Sequence, residues 1–228
     1  MVVGNGLVAR AFSAYQEDVD KLIFASGVSN SSFTNHQEAD REYELLYTYL
    51  KKYPDLQLIY FSTASVYDPS LQDSFYIRHK LNIENYIKEN ASKYLIIRAS
   101  NIVGGGTNPN TLVNRFIHQF STNETIDVWR HATRNLIGVD DFYLIVDSLI
   151  KKQLYTNSIV NVANPISNTV FQVVDAIANF MQVVPNIRIL DRGTSYFINV
   201  TTILPLIHKL ELCFTADYLD SLLKRYYS

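Results

Sequence analysis

Short apolar runs alternate with amphipathic segments along most of the chain, and this alternation constrains the fold more than any single motif. Continuous apolar runs are typical of parallel strands that are buried on both faces. The predicted strands are Leu22–Ala25, Leu56–Ser62, Tyr94–Arg98 and Ile159–Val162. Apolar residues at helical spacing predict helices at Leu7–Tyr15, Ala39–Leu50, Tyr76–Lys88, Leu112–Phe120, Asp141–Lys151, Val170–Met181 and Asp217–Tyr226. Strands that alternate with helices predict an α/β fold with a doubly wound parallel sheet.

Composition narrows the class of protein. The chain has 228 residues, 47% of them hydrophobic, which fits one α/β domain with a small appended lobe. A net charge of −2 gives no sign of a nucleic-acid partner, and no apolar stretch approaches the ~20 residues of a membrane helix. Met1 leads straight into a strand, so we predict no signal peptide and a cytoplasmic protein. The single cysteine, Cys213, excludes an internal disulfide and is expected to be buried and inert.

Residues 4–9 fit the pattern G-x-G-x-x-G/A between a predicted strand and a predicted helix. In this context the first glycine makes a tight turn, and the second lets the backbone approach a pyrophosphate. The helix N-terminus adds N–H groups that favour phosphate. We therefore predict, over an ordinary strand–helix turn, a Rossmann-like dinucleotide site formed by Gly4, Asn5, Gly6, Leu7 and Val8. The acidic residue that normally follows about 20 residues later and grips a ribose hydroxyl is absent.

Tyr76 and Lys80 lie four residues apart on a predicted helix, so their side chains share one face. Thr63 follows a predicted strand, where its hydroxyl group can share a cleft with them. A tyrosine hydroxyl ordinarily has a pKa near 10, and an ammonium group one turn away favours the phenolate needed for acid/base catalysis. The spacing alone is a weak signal, because Tyr47 and Lys51 match it too.

Further motifs occur in order at Phe24–Gly27, Thr63–Tyr67, Ile97–Gly104, Arg134–Asp141 and Asn161–Asn164. With the glycine turn and the Tyr-x-x-x-Lys spacing, they resemble the extended short-chain dehydrogenases/reductases. This family, also described as NAD-dependent epimerases/dehydratases, acts mainly on nucleotide sugars. The resemblance covers the chain to about Met181. Its motif order selects Tyr76 and Lys80 over Tyr47 and Lys51, which we expect on a solvated helix face.

The resemblance implies a shortened member of the family. If Phe24–Gly27 belongs to the family's fourth strand, then the second and third strands, which hold the adenine and its ribose, are missing. The cofactor would be NAD or NADP, contacted also by Ala25, Ser26 and Gly27. Residues 1–165 would form the cofactor-binding domain with the catalytic residues. Residues 166–228 would form a reduced substrate-binding lobe that is not cleanly separable from it.

The resemblance also implies roles for single residues. Tyr76 would exchange a proton with a sugar hydroxyl or carbonyl, Thr63 would align that oxygen, and Lys80 would also hold the nicotinamide ribose. His79 is expected on a different, solvated face of the helix. The substrate-binding positions would be Ser65, Asn101, Asn110 and Arg134.

Several of these assignments have alternatives. Arg134 would clamp the substrate diphosphate or form a surface ion pair with a nearby aspartate. Asn114 lies as close as Asn110 to the family position that contacts the phosphates. Asn101 would contact the sugar or order the cleft.

The two residues directly after Thr63 narrow the reaction. Family dehydratases that act on C5–C6 of the sugar carry an acidic pair there, whereas this chain has Ala64 and Ser65. This disfavours a 4,6-dehydratase and leaves reduction of a keto-sugar or epimerisation. A site without the adenine-ribose strands should hold its cofactor loosely, so we expect a reductase of a keto-sugar nucleotide in surface-polysaccharide synthesis. The alternatives are a nucleotide-sugar epimerase with tightly held NAD, and a non-catalytic binding protein with a decayed dehydrogenase fold. No metal site is expected. Family members often dimerise through the helix that carries the tyrosine and its neighbour, so the resemblance implies a possible homodimer through these helices.

Overall fold

A five-stranded parallel sheet forms the centre of the computed structural model, which describes residues 1–29, 36–106 and 108–228. The strands are β1 (Val2–Val3), β2 (Lys21–Phe24), β3 (Gln57–Thr63), β4 (Tyr94–Ala99), β5 (Asn101–Val103), β6 (Ile126–Trp129), β7 (Thr133–Arg134), β8 (Leu136–Gly138), β9 (Ser158–Val162), β10 (Asn168–Thr169) and β11 (Ile187–Leu190). The helices are α1 (Leu7–Ala11), α2 (His36–Lys52), α3 (Phe75–Asn90), α4 (Leu112–Ser121), α5 (Val139–Lys151), α6 (Val170–Met181), α7 (Leu204–Lys209) and α8 (Tyr218–Tyr227).

The central sheet has the order β1-β2-β3-β4-β9, with every neighbouring pair parallel. This confirms the predicted Rossmann-like sheet. Strand β1 pairs with β2, with Val2 opposite Ile23, and lies at the edge of the sheet. In the usual order, the second strand would lie on the other side of β1. The carboxyl ends of these strands share one edge of the sheet, which is where parallel α/β sheets bind their ligands.

Both faces of the central sheet are covered, as its apolar strands require. Leu22 and Phe24 of β2 point to the face on which α2 and α3 pack, whereas the intervening Ile23 belongs to the opposite cluster, with α1 and α5. Burying both faces fixes the strand register, because a slip of one residue would exchange the two sets of side chains.

A second hydrophobic core lies outside the central sheet. It is formed by α4, α6, α8 and the parallel pair β6–β11, with Phe116, Val128, Ile177 and Leu222 fully or almost fully buried. It draws side chains from both sides of the boundary predicted at residue 165. Residues 198–207, by contrast, pack into the core of the central sheet. The two-part division stays a prediction.

Three local expectations differ from the structure. The predicted helix Leu7–Tyr15 ends as an α-helix at Ala11 and continues as a 3-10 turn, which buries Tyr15 with its hydroxyl 2.7 Å from the Asp147 carboxylate. The last helix begins at Tyr218, one residue later than predicted, and the Thr215 hydroxyl donates a hydrogen bond to the Asp217 carboxylate that precedes it. Cys213 is exposed, not buried, because it lies in a connecting segment before α8.

In the part of the chain that the structure describes, no helix combines the length and apolar character that crossing a membrane requires.

We predict that Gly4→Ala destabilises the fold by about 1–3 kcal/mol. Gly4 has φ +125°, and an added Cβ would lie 2.5 Å from the Ala25 carbonyl oxygen, where backbone cannot move aside. Gly6→Ala is the matched control, since a Cβ there meets no atom within 4 Å. Urea unfolding measures both, and equal losses of stability would contradict this reading.

Candidate active site

A cleft of about 1050 Å³ lies at the carboxyl ends of β1 to β4. It brings together the three groups of residues predicted from the sequence. The predicted catalytic and substrate residues that line it are Thr63, Ser65, Tyr76, Lys80, Asn101, Asn110 and Arg134. The predicted cofactor residues that line it are Asn5, Gly6, Leu7, Val8, Ala25, Ser26 and Gly27. Gly4 supports this cleft from the turn beside Ala25.

The glycine turn fits a dinucleotide. Gly6 opens onto empty space, because an added Cβ would find no atom within 4 Å. Ala9 is almost fully buried, so α1 packs close to the sheet. The Ser100 hydroxyl, in the cleft lining, is buried and has no hydrogen-bond partner among the described residues. Open backbone and an unpartnered buried hydroxyl are what a cleft presents when a polar ligand completes it.

Thr63 and Tyr76 reach the cleft from two successive elements. Thr63 ends β3, and its Oγ1 accepts a hydrogen bond from the Ser65 N–H at 3.1 Å. Because a hydroxyl group donates one hydrogen, that of Thr63 remains for another acceptor. Tyr76 lies in the first turn of α3, which begins after Ser74, whose hydroxyl accepts from the Ile77 N–H. The cap fixes the start of the helix and with it the direction of the Tyr76 side chain.

Lys80 is held by a carboxylate that the sequence reasoning missed. Glu42 on α2 has no exposed surface. The Lys80 Nζ lies 3.1 Å from Glu42 Oε1 and 3.0 Å from the Tyr60 hydroxyl oxygen. The Glu42 carboxylate also accepts from the Tyr60 hydroxyl at 2.6 Å and from the Val28 N–H at 2.7 Å. Lys80 therefore enters the cleft as half of a neutral buried pair.

The charges of this pair are fixed by its surroundings. Burial by itself would raise the pKa of Glu42, but the Lys80 ammonium and the hydrogen bonds from His79, Tyr60 and Val28 lower that pKa to about 2. Burial and the adjacent carboxylate raise the pKa of the Tyr60 hydroxyl. Glu42 is therefore ionised and Tyr60 is a hydrogen donor throughout the neutral range.

His79 does not lie on a solvated helix face, so that expectation is wrong. Its side chain is buried, and its Nε2 lies 2.9 Å from Glu42 Oε2. A carboxylate on the neighbouring helix α2 draws this side of α3 inward. No pattern within 76–80 reveals such a contact, because the partner lies 37 residues away.

Gly27 packs directly on the buried pair. An added Cβ would lie 2.7 Å from Lys80 Nζ and 2.8 Å from Glu42 Oε1. A side chain at this position would therefore displace the charged ends of the pair, whereas glycine allows the close approach. Because Val28 donates to Glu42, the strand end that was predicted to pass the cofactor is tied to the predicted catalytic lysine.

Arg134, predicted to contact the substrate, lines the cleft, and its Nη1 donates to the Thr133 carbonyl at 2.8 Å. The alternative ion pair is not formed in the described structure, since Asp141 pairs with Arg225 and Asp140 accepts from Tyr226. Arg134 therefore faces the cleft with its charge unpaired by these aspartates.

The asparagines divide by their hydrogen bonds. Asn101 donates to the Asn135 carbonyl at 2.9 Å, which orders the cleft, and it also lines the cleft. Both ends of the Asn114 amide form hydrogen bonds: Nδ2 donates to the Gly106 carbonyl, and Oδ1 accepts from the Tyr227 hydroxyl. Asn110 is exposed and lines the cleft.

Tyr196, which was not predicted, reaches the cleft from the C-terminal part of the chain. Burial and the nearby Asp68 carboxylate raise the pKa of its hydroxyl, and Ser65 hydrogen-bonds to it. Asp68 itself is buried and accepts from Ser70 and Thr194. The irregular segment around Tyr196 gives no sequence signal for this placement.

The competing pair on α2 is exposed as expected. Tyr47 is 44% exposed, and Lys51 Nζ lies over its ring, 5.8 Å from the centroid. Neither residue lines the cleft.

Residues 23–163 match the NAD dependent epimerase/dehydratase family. The chain belongs to this family. The matched range begins after the glycine turn and contains Thr63, Tyr76, Lys80 and Arg134. NAD, the cofactor in the family's description, agrees with the predicted nicotinamide cofactor.

Solved structures of similar fold cover nearly all of this chain. A dTDP-glucose 4,6-dehydratase from Bacillus anthracis, in complex with NAD, is 16% identical with a TM-score of 0.67, over 98% of this chain and 77% of that chain. A UDP-N-acetylglucosamine 4-epimerase from Methanobrevibacter ruminantium, in complex with UDP-N-acetylmuramic acid, is 16% identical with a TM-score of 0.70, over 98% and 80%.

A UDP-glucuronic acid 4-epimerase from Bacillus cereus, in complex with UDP-glucuronic acid and NAD, is 17% identical with a TM-score of 0.71. That similarity spans 95% of this chain and 76% of the epimerase. At these identities the comparisons show a shared fold. No curated protein matches the chain.

We predict that acid weakens the fold through Glu42. Its folded pKa of about 2 lies below the ordinary value of 4.5, so its contribution is complete above pH 4.5 and is lost as the pH falls toward 2. The loss is about 3 kcal/mol. Urea unfolding at a series of pH values should show this slope in the wild type and a shallower slope in Glu42→Gln.

Glu38→Gln, on the exposed first turn of the same helix, is the control and should keep the wild-type slope. Equal slopes for wild type and Glu42→Gln would contradict the buried-pair account.

Proposed function

We propose that the protein is an NAD(P)-dependent oxidoreductase that reduces a keto-sugar nucleotide. One observation carries this proposal: a single cleft holds the glycine turn, then Thr63, Tyr76 and Lys80, then Arg134. In this proposal the same cleft offers a site for a dinucleotide, a group for acid/base catalysis and a cation for a diphosphate.

The chain's own residues suit proton transfer to a carbonyl oxygen. A bound nicotinamide cofactor supplies the hydride. Tyr76 would donate a proton to the carbonyl oxygen, and the Thr63 hydroxyl would hydrogen-bond to that oxygen and align it. Lys80, fixed by Glu42 and Tyr60, would donate a hydrogen bond to the nicotinamide ribose and hold it beside Tyr76.

A nucleotide sugar suits the far end of the cleft. Arg134 offers a guanidinium group that can bind a diphosphate through two parallel hydrogen bonds. Ser65, Asn101 and Asn110 would complete the polar surface around the sugar and its phosphates. The structural neighbours with bound UDP-glucuronic acid or UDP-N-acetylmuramic acid support this class of substrate.

Elimination of water is disfavoured in this proposal. Ala64 is buried and apolar, and Ser65 carries no acid. The carboxylate of Asp68 lines the cleft but is bound by Ser70 and Thr194. A 4,6-dehydratase needs a free acid and base at the sugar, so reduction or epimerisation fits better.

Reduction rather than epimerisation is favoured by the edge position of β1, because the residues that the structure describes form no strand beyond β1 to enclose the adenine half of the cofactor. A reductase exchanges its cofactor in every cycle, whereas an epimerase keeps it through two hydride steps.

We also propose a homodimer through α2 and α3, whose Tyr43, Tyr47 and Leu81 are exposed.

Cofactor content separates reductase from epimerase. We predict that the purified protein carries substoichiometric NAD(H) and binds added NADH reversibly, because the adenine half is not enclosed. Ultraviolet absorbance and mass spectrometry of the denatured protein measure the content. Full occupancy after purification would favour the epimerase instead.

Tyr76→Phe is expected to abolish hydride transfer while changing NADH affinity little, because the phenyl ring keeps its packing and loses only the proton donor. A loss of at least about 100-fold in turnover is expected for an acid/base group. NADH oxidation with keto-sugar nucleotides measures it. The matched control is Tyr47→Phe, in the second Tyr-x-x-x-Lys spacing.

Wild-type turnover in Tyr76→Phe would refute the assigned role. Failure of the wild type to bind NADH or NADPH at millimolar concentration would favour the decayed, non-catalytic alternative.

A further inference from the structure

Two arginines flank the glycine turn at the end of the cleft next to the edge strand β1. Arg10, on α1, donates from Nη1 to the Asn5 carbonyl oxygen at 3.0 Å. Arg41, on α2, donates from Nη1 to the Ser26 hydroxyl at 3.1 Å and from Nη2 to the Ser26 carbonyl at 3.0 Å. Both side chains are exposed and both line the cleft.

Neither guanidinium is neutralised by an acid. No carboxylate of the described residues forms an ion pair with Arg10 or Arg41, and residues 30–35 and 107 contain no Asp or Glu. Their described bonds go to neutral oxygens, which orient the side chains without cancelling the charge. A guanidinium has five N–H donors, and oriented pairs of this kind favour phosphate oxygens.

The backbone brings the two arginines to one place. Gly4 approaches Ala25 so closely that a Cβ would lie 2.5 Å from its carbonyl oxygen. Asn5 follows Gly4 in the chain, and Ser26 follows Ala25. The two carbonyl groups that accept hydrogen bonds from the arginines are therefore next to this contact. Gly6, with open space above its Cα, lies beside them. An anion seated on the turn would therefore meet positive charge from α1 and from α2.

We propose that Arg10 and Arg41 bind the adenosine-side phosphates of the dinucleotide. This inference rests on the proposed function and adds how the adenine half is held where the second and third strands are missing. The arginines replace a buried ribose contact with exposed, charge-assisted contacts. Such contacts exchange readily with water, which agrees with a cofactor released in each cycle. The phosphate can be the pyrophosphate or a 2′-phosphate, because both present the same oxygens.

Calorimetric titration of the full chain tests this with four ligands: NADH, NADPH, ADP and reduced nicotinamide mononucleotide, which lacks the adenosine-side phosphate. If the arginines bind the pyrophosphate, Arg10→Gln and Arg41→Gln should each weaken NADH, NADPH and ADP about tenfold. If they bind the 2′-phosphate, the substitutions should weaken NADPH alone by about that factor. In both cases the affinity for the mononucleotide should stay within about twofold. The control is Arg78→Gln, an exposed arginine on α3 that does not line the cleft. It should bind all four ligands as the wild type does.

The outcomes separate the two proposals. A more than tenfold preference for NADPH that both substitutions remove would identify the 2′-phosphate, and equal affinities would identify the pyrophosphate. Binding of ADP without NADH would refute the proposed oxidoreductase and keep the arginine site. Affinities for both ADP and NADPH that stay unchanged in both variants would overturn the arginine proposal, as would a wild type that binds the mononucleotide as tightly as NADH and NADPH.

Discussion

The Glu42 carboxylate is the contact on which the arrangement of the candidate site depends. It is fully buried, and it joins α2 to β3 through Tyr60, to α3 through Lys80, and to the segment that follows β2 through Val28. Removing one partner of a buried ion pair typically costs about 3–5 kcal/mol, because the other charge is left uncompensated. The same contact therefore stabilises the fold and sets the position of the predicted catalytic lysine.

A second buried pair anchors the neighbouring strand. Glu84 on α3 accepts from Arg98 on β4 at 2.6 Å and from the Ser62 hydroxyl on β3 at 2.6 Å. Arg98 also donates to the Tyr67 hydroxyl. Two carboxylates thus hold helix α3 in place: Glu84, which lies on α3 and binds the sheet, and Glu42 of α2, which binds Lys80 of α3. This explains how a cleft lined partly by 3-10 turns and loops keeps a defined shape.

Much of the fold can be predicted from the sequence. The apolar runs located β2, β3, β4 and β9, and the motif order placed Thr63, Tyr76, Lys80 and Arg134 in what proved to be one cleft. The short strand pairs β5–β8, β6–β11 and β7–β10 are not predicted from the sequence, because strands of two to four residues carry too little periodicity.

The role of Glu42 as the partner of Lys80 is not predicted from the sequence, for a different reason. A Glu on an otherwise polar helix is typical of a solvated face, and only the tertiary contact with Lys80 shows otherwise. The predicted solvent exposure of His79 is wrong for the same reason, since its burial depends on the tertiary contact with Glu42. The catalytic roles, the domain boundary and the substrate positions stay predictions, since geometry alone does not test them.

Hydride transfer to a sugar is the central claim, and isotope labelling tests it most directly. The protein would be incubated with NADH or NADPH deuterated at nicotinamide C4 and a panel of keto-sugar nucleotides, and the products analysed by mass spectrometry. With one of the two cofactors, we expect one product that has gained one deuterium and one proton, with matching oxidation of the cofactor. Both cofactors left unoxidised and no labelled product with any keto-sugar nucleotide, for a protein shown to be folded, would contradict hydride transfer to a sugar.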